Sequence, residues 1–257
     1  MPVLAEWIRF GEHAGFLARP ARAELPLPAV LVIQEIFGVE AHMEDVARRL
    51  AAAGYTALAP DLYAEGGVRP PALERERIAE LLAAMNGADG PAFPEAVRAR
   101  VEETRAAVFS APRNLPRFIP VLRDAARHLR RERPETRGRK LACVGFCMGG
   151  ALSALLACEE PELSGAAVFY GSAPPPKLVP RIPCPVIGFY GALDERINAG
   201  LPVFAEAMRR AGKSFEPRVY EGAAHGFFND TRPVYDVGAA RDSFARLLDF
   251  LLRTTAA

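Results

Sequence analysis

The sequence predicts an α/β fold: a mostly parallel central sheet, helices on both faces and an antiparallel hairpin at its N-terminal edge. Three observations carry this. The element order is two strands followed by repeated strand–helix units, the order of a parallel sheet with crossover helices. Several strands are continuous apolar runs, as burial on both faces requires. The segments between them show helical apolar spacing.

Trp7-Ile8-Arg9-Phe10 and Gly15-Phe16-Leu17-Ala18 flank a polar Gly11-Glu12-His13 turn, which reads as the hairpin. Ala29-Val30-Leu31-Val32-Ile33 is a buried strand. Residues 40–53 follow as a helix, with Val46, Leu50 and Ala53 on one face and Gly54 as its stop. Tyr55-Thr56-Ala57-Leu58-Ala59 is the next strand, closed by Pro60-Asp61. Residues 64–114 have a different texture: two charged helical pieces, about 73–86 and 94–108, are split by Asn86-Gly87-Ala88-Asp89-Gly90-Pro91. Some fifty residues are too few for an independent core, so the chain reads as one domain over residues 1–257 with a helical insertion at about 64–114. An amphipathic helix is expected over 117–132. Strands then fall at 140–145, 166–170, 185–190 and 215–220, with helices at 148–158, about 200–211 and 236–253.

Lys and Arg total 32 and Asp and Glu 31, a formal net charge of +1. That balance predicts no nucleic-acid partner. No stretch of about 18 apolar residues is present, so no membrane span is expected. The first residues lack the basic and apolar regions of a signal peptide. The four cysteines, Cys143, Cys147, Cys158 and Cys184, form no CxxC pair, so the expectation is reduced thiols in a cytoplasmic protein with no metal. The sequence does not decide between monomer and homodimer.

The strongest chemical signal is Val144-Gly145-Phe146-Cys147-Met148-Gly149-Gly150. A strand runs into Gly-x-Cys-x-Gly and a helix starts at once, the nucleophile-elbow pattern with Cys in place of Ser. The turn is too tight for side chains two residues before and after the nucleophile. It also sets the thiol at a helix N-terminus, where N–H groups favour thiolate and oxyanion. The bland alternative is a buried Cys in a Gly-rich turn. A nucleophile needs a base, and the chain has four histidines. His13 and His128 read as surface residues and His42 as a neighbour of a helix cap. His225 comes after the last strand, where open sheets gather functional groups. Asp194, after the strand Pro185–Tyr190, is the candidate to orient it, with Glu195 as competitor. The order Cys147, Asp194, His225 is that of a hydrolase triad, with the His225 ring expected to reach both Cys147 and Asp194. Glu35 closes an apolar strand and is a candidate second acid or base beside the thiol. The backbone N–H groups of Ile36 and Met148 are placed for an oxyanion hole.

These segments resemble the dienelactone hydrolase family of the α/β-hydrolases. The resemblance rests on Gln34-Glu35-Ile36-Phe37-Gly38, Ala59-Pro60-Asp61-Leu62-Tyr63, Gly145-Phe146-Cys147-Met148-Gly149-Gly150, Phe169-Tyr170-Gly171 and Gly222-Ala223-Ala224-His225-Gly226-Phe227. It implies an α/β-hydrolase fold and a Cys147–Asp194–His225 triad. It also implies a Glu35 that contacts the resting thiol and helps to deprotonate it, and no cofactor. The implied substrate is a small ester or lactone; the alternative is a non-catalytic binding protein on the same fold. In the family one substrate-binding arginine lies four residues after the catalytic His, where this chain has Asn229. The pocket is therefore expected to hold an anionic lactone less well, unless Arg69 or Arg77 supplies the charge. Phe37, Tyr63, Arg77 and Phe227 are the expected substrate contacts. The insertion is expected to act as a mobile cap whose stripe of Ile78, Leu81, Leu82 and Met85 lines the pocket above Phe37 and Tyr63.

Overall fold

The computed structural model describes residues 1–22, 26–64, 66–87 and 94–256. Of the segment 86–91 expected to split the two helical pieces of the insertion, residues 88–91 therefore lie outside the described residues. The described strands form one eight-stranded sheet in the order β1-β2-β4-β3-β5-β6-β7-β8. The hairpin is β1 (Val3–Phe10) with β2 (His13–Pro20), longer on both arms than the sequence pattern suggests. β2 meets β4 (Thr56–Pro60) antiparallel. From β4 onward the sheet is parallel, through β3 (Ala29–Ile33), β5 (Leu141–Phe146), β6 (Leu163–Phe169), β7 (Val186–Gly191) and β8 (Phe215–Tyr220).

The alternation within β3 shows how the two faces are filled. Leu31 and Ile33 point into one apolar cluster, Val30 and Val32 into the other. The second cluster takes residues of α1 (Ala41–Ala52) and of the C-terminal helix Val237–Thr255. The first takes α5 (Met148–Glu159), α4 (Ile119–Arg127) and the two helices of the insertion, α2 (Arg75–Asn86) and α3 (Glu95–Ser110). Both faces of the sheet are thus covered, as its apolar strands require.

The helix expected over 117–132 is instead α4 followed by a π-helical turn, His128–Glu132, where the Arg133 N–H reaches back to the His128 carbonyl at 3.1 Å. The surface reading of His128 is corrected: its ring stacks on Phe10 with centroids 5.5 Å apart. His13 is half-buried and pairs with Asp124 at 3.2 Å, which ties the hairpin to α4. None of the described helices is long and apolar enough to cross a membrane.

Because the strands from β3 onward run parallel, their C-terminal ends share one edge of the sheet. Glu35 lies just beyond β3, Cys147 beyond β5, Tyr170 beyond β6, Asp194 beyond β7 and His225 beyond β8. Residues far apart in the chain meet there because of strand direction alone.

Candidate active site

Cys147 occupies a backbone conformation that L-residues avoid, φ +55° and ψ −114°. Such a conformation costs about 1–3 kcal/mol and persists only where its surroundings enforce it. The enforcement is steric. A Cβ at Gly145 would lie 1.8 Å from the Gly149 carbonyl oxygen, and one at Gly149 would lie 2.2 Å from that of Ile33. The elbow is packed against its own helix and against β3, so neither glycine has room for a side chain. The turn is held from a third side by the Cys147 N–H, which donates to the Phe169 carbonyl at 3.0 Å.

The backbone N–H groups of Met148 and Ile36 bear on the thiol and favour its ionised form. Burial, and then the charge of Glu35, push the thiol up to about 12, against the pull of those two N–H groups and of Arg196. The resting group is therefore a neutral thiol. Thiolate falls tenfold for each pH unit below the pKa, and a free cysteine titrates near 8.5. Iodoacetamide at pH 8 should then alkylate Cys147 of the free protein about a thousandfold more slowly than free cysteine, the rate rising with pH. Intact-mass time courses measure this. A rate equal to that of free cysteine would contradict the burial argument.

His225 Nδ1 lies 2.5 Å from Asp194 Oδ2. A carboxylate on Nδ1 holds the proton there and leaves Nε2 as the free base. Asp194 also caps the helical turn Glu195–Asn198, its Oδ1 accepting from the Ile197 N–H at 3.4 Å. The buried carboxylate thus has both oxygens engaged, whereas Glu195 is exposed. The other expected contact of His225 is not made: among the described residues no hydrogen bond joins its ring to Cys147. Tyr170 packs beside the imidazole, ring centroids 5.1 Å apart, and it too has positive φ, +38°.

Glu35 is buried, with both oxygens occupied. Oε1 accepts from the Tyr170 hydroxyl at 3.0 Å and Oε2 from the Asn229 side-chain amide at 3.0 Å. A buried carboxylate needs such donors. Neither partner could be read from local sequence, because one sits 135 residues away and the other 194.

Cys147, His225 and Glu35 line one cavity of about 370 Å³, with Ile36, Phe37, Met85, Phe109, Pro112, Arg196, Asn229, Arg232 and Val234 among the other walls. A groove of about 510 Å³ on α4 is larger but is lined by arginines and carboxylates, without a nucleophile or a histidine. Of the expected substrate contacts, Phe37 alone lines the cavity. Three are corrected. The Tyr63 side chain is buried under the site, where its hydroxyl donates to the Ile36 carbonyl at 2.6 Å and so fixes the peptide next to the oxyanion position. Phe227 is fully buried against Tyr170 and Tyr220. Arg77 is held within the insertion by Thr104, the Arg100 carbonyl and Glu103. Arg69, the other expected cation, is committed to Asp61 at 2.7 Å. The apolar stripe of the insertion is corrected as well. Ile78 and Leu81 are core residues and Leu82 packs against that core, leaving Met85 as the one stripe residue at the cavity. Phe109 and Pro112 from the end of the insertion join it.

Among the described residues no cluster of His, Cys, Asp and Glu has the geometry of a metal site. The dienelactone hydrolase family matches the chain over residues 13–255. A relative from Saccharolobus solfataricus, named "Putative carboxymethylenebutenolidase", is 34% identical over 250 residues, 93% of this chain and 93% of its own. One of the same name from Methylorubrum extorquens is 34% identical over 93% of this chain and 76% of its own. The crystal structure of a "Putative Dienelactone Hydrolase" from Klebsiella pneumoniae superposes with a TM-score of 0.75 at 29% identity, covering 98% of this chain and all of that one (100%).

Proposed function

The chain belongs to the dienelactone hydrolase family, and from that premise we propose that it hydrolyses small carboxylic esters or lactones without a cofactor, through an acyl-enzyme on Cys147. The observation that carries this reading is the strained elbow of Cys147 on a cavity shared with His225 and Glu35. The thiol proton passes by way of a neighbouring base to Nε2 of His225, and the S–H electron pair stays on sulfur. Thiolate then attacks the acyl carbon, and the carbonyl electrons move onto oxygen. The Ile36 and Met148 N–H groups, which bear on the resting thiol, are the donors for that oxyanion. Collapse expels the alkoxide or enolate, which takes a proton from His225, and leaves a thioester. Water, giving a proton to His225, cleaves the thioester and restores the thiol.

A tetrahedral adduct on sulfur collapses forward only if the departing oxygen group leaves as readily as the thiolate. Aryl esters and enol lactones meet that condition and amides do not. A non-catalytic binding protein would have no use for a backbone outlier at Cys147 or an aspartate-oriented imidazole. We read residues 1–257 as one domain. The sharing of a single apolar cluster by insertion, β3 and α5 supports that reading.

The substrate reading turns on charge. Position 229 offers no cation and Arg69 and Arg77 are engaged elsewhere, yet Arg196 and Arg232 both line the cavity. Arg232 stacks over Phe37 at 5.0 Å and its buried Nε has no hydrogen-bond partner among the described residues. These two arginines fit an anionic substituent on the substrate. A charge-assisted contact is worth about 1.5–3 kcal/mol. Arg232→Met should accordingly lower kcat/KM for an anionic lactone or ester by about 10–100-fold and spare its neutral analogue. Equal losses on both would refute the anion reading, and no turnover of any ester or lactone in a panel would refute the hydrolase reading itself.

A further inference from the structure

The loop that carries His225 also carries Asn229, and its side chain is fixed at both ends. Its Oδ1 accepts from the Thr231 N–H at 3.1 Å and from the Thr231 hydroxyl at 2.6 Å. The backbone N–H of Thr231 can only donate, so the amide has one orientation, with Nδ2 aimed at Glu35 Oε2 3.0 Å away. The backbone is pinned too, since the Asn229 N–H donates to the Gly226 carbonyl at 3.0 Å and the Asn229 carbonyl accepts from the Arg232 N–H at 3.1 Å. With Tyr170 on the other oxygen, Glu35 cannot rotate without giving up a donor.

We propose that Asn229 is a positioning residue, locked by Thr231, that holds Glu35 in the orientation to receive the proton of the Cys147 thiol. The inference rests on the acyl-enzyme reading above. In the step concerned the S–H bond breaks, an O–H bond forms on Glu35 and the electron pair remains on sulfur; the proton then passes from Glu35 to Nε2 of His225, which carries it to the leaving group. Both donors that hold Glu35 are neutral, and they fix its orientation through hydrogen bonds alone. The other groups that bear on Glu35 come from four directions. Glu40 and His42 lie at the start of α1, Cys147 on the elbow, His225 and Arg232 on the same loop as Asn229, and Arg196 beyond β7.

The sign of the effect distinguishes this role from plain structure. Removing a donor disfavours the ionised carboxylate and raises its pKa, while adding a cation lowers it. Asn229→Leu should move the acid limb of the kcat/KM–pH profile of an aryl ester to higher pH. Asn229→Arg should move it to lower pH, and kcat should fall in both by about 10–100-fold with KM little changed. Thr231→Val removes only the hydroxyl lock and should shift the limb as Asn229→Leu does, by less. Melting temperatures identify any variant that misfolds, in which case Thr231→Val carries the test. Profiles that superimpose on the parent after scaling, with Cys147→Ala inactive, would overturn the role of Asn229 alone. Turnover surviving in Cys147→Ala would overturn the acyl-enzyme reading beneath it.

Discussion

Cys147→Ala should lower turnover of an activated aryl ester by about 10⁴-fold or more while leaving the fold intact. The size comes from the chemistry. Without sulfur the site keeps an imidazole and two amide donors but has nothing to acylate, and residual rate comes from binding and the oxyanion position alone. Preservation of the fold comes from packing. Alanine retains the Cβ that the elbow already accommodates, and the glycines that have no room for a side chain, Gly145 and Gly149, are untouched. Initial rates with circular dichroism as a fold control decide it. Turnover within tenfold of the parent would show that another group does the chemistry.

Asp194→Asn should cost nearly as much, about 10⁴-fold in kcat. The replacement keeps the oxygen that caps Ile197 and so keeps the loop. The change removes the negative charge facing Nδ1 of His225. The imidazole then loses both the partner that fixes its tautomer and the charge that stabilises its protonated form during attack and leaving-group departure. The acylation burst and the steady-state rate should fall together. A loss of less than tenfold would remove Asp194 from the relay and return Glu195 to consideration.

The parts of this site that sequence made legible are those governed by local rules. Gly145-x-Cys147-x-Gly149 announces a turn because sterics demand glycine there, and the distances a Cβ would meet bear that reasoning out. Asp194 and His225 each come just after a strand, and the parallel order of β5, β7 and β8 brings the strand exits to one edge of the sheet. Contacts between distant segments were not legible. The clamp on Glu35 joins β3 to the ends of β6 and of the His225 loop. Asn229 drew notice only as a missing arginine, and its actual partner is Glu35. Arg196 and Arg232 carried no motif, because a guanidinium on a loop reads as solvated until the cavity beside it is seen.

The insertion shows a second limit. Its apolar spacing correctly marked two helices, but spacing does not tell a core face from a pocket wall. Ile78 and Leu81 are taken up by the first apolar cluster, and the cavity is roofed by Met85, Phe109 and Pro112 at the ends of the helices. Tyr63 likewise read as a ring under a substrate, yet its hydroxyl is spent on the Ile36 carbonyl. Its service to the site is indirect, through the peptide that presents the Ile36 N–H.

Trapping the covalent intermediate tests the central claim most directly. A slowly deacylating aryl ester, mixed with the protein and quenched in acid, should add one acyl mass, and peptide mapping should place it on Cys147 and nowhere else. Cys147→Ala should show no adduct. Steady turnover with no adduct on Cys147, or an acyl group on a different residue, would contradict the account.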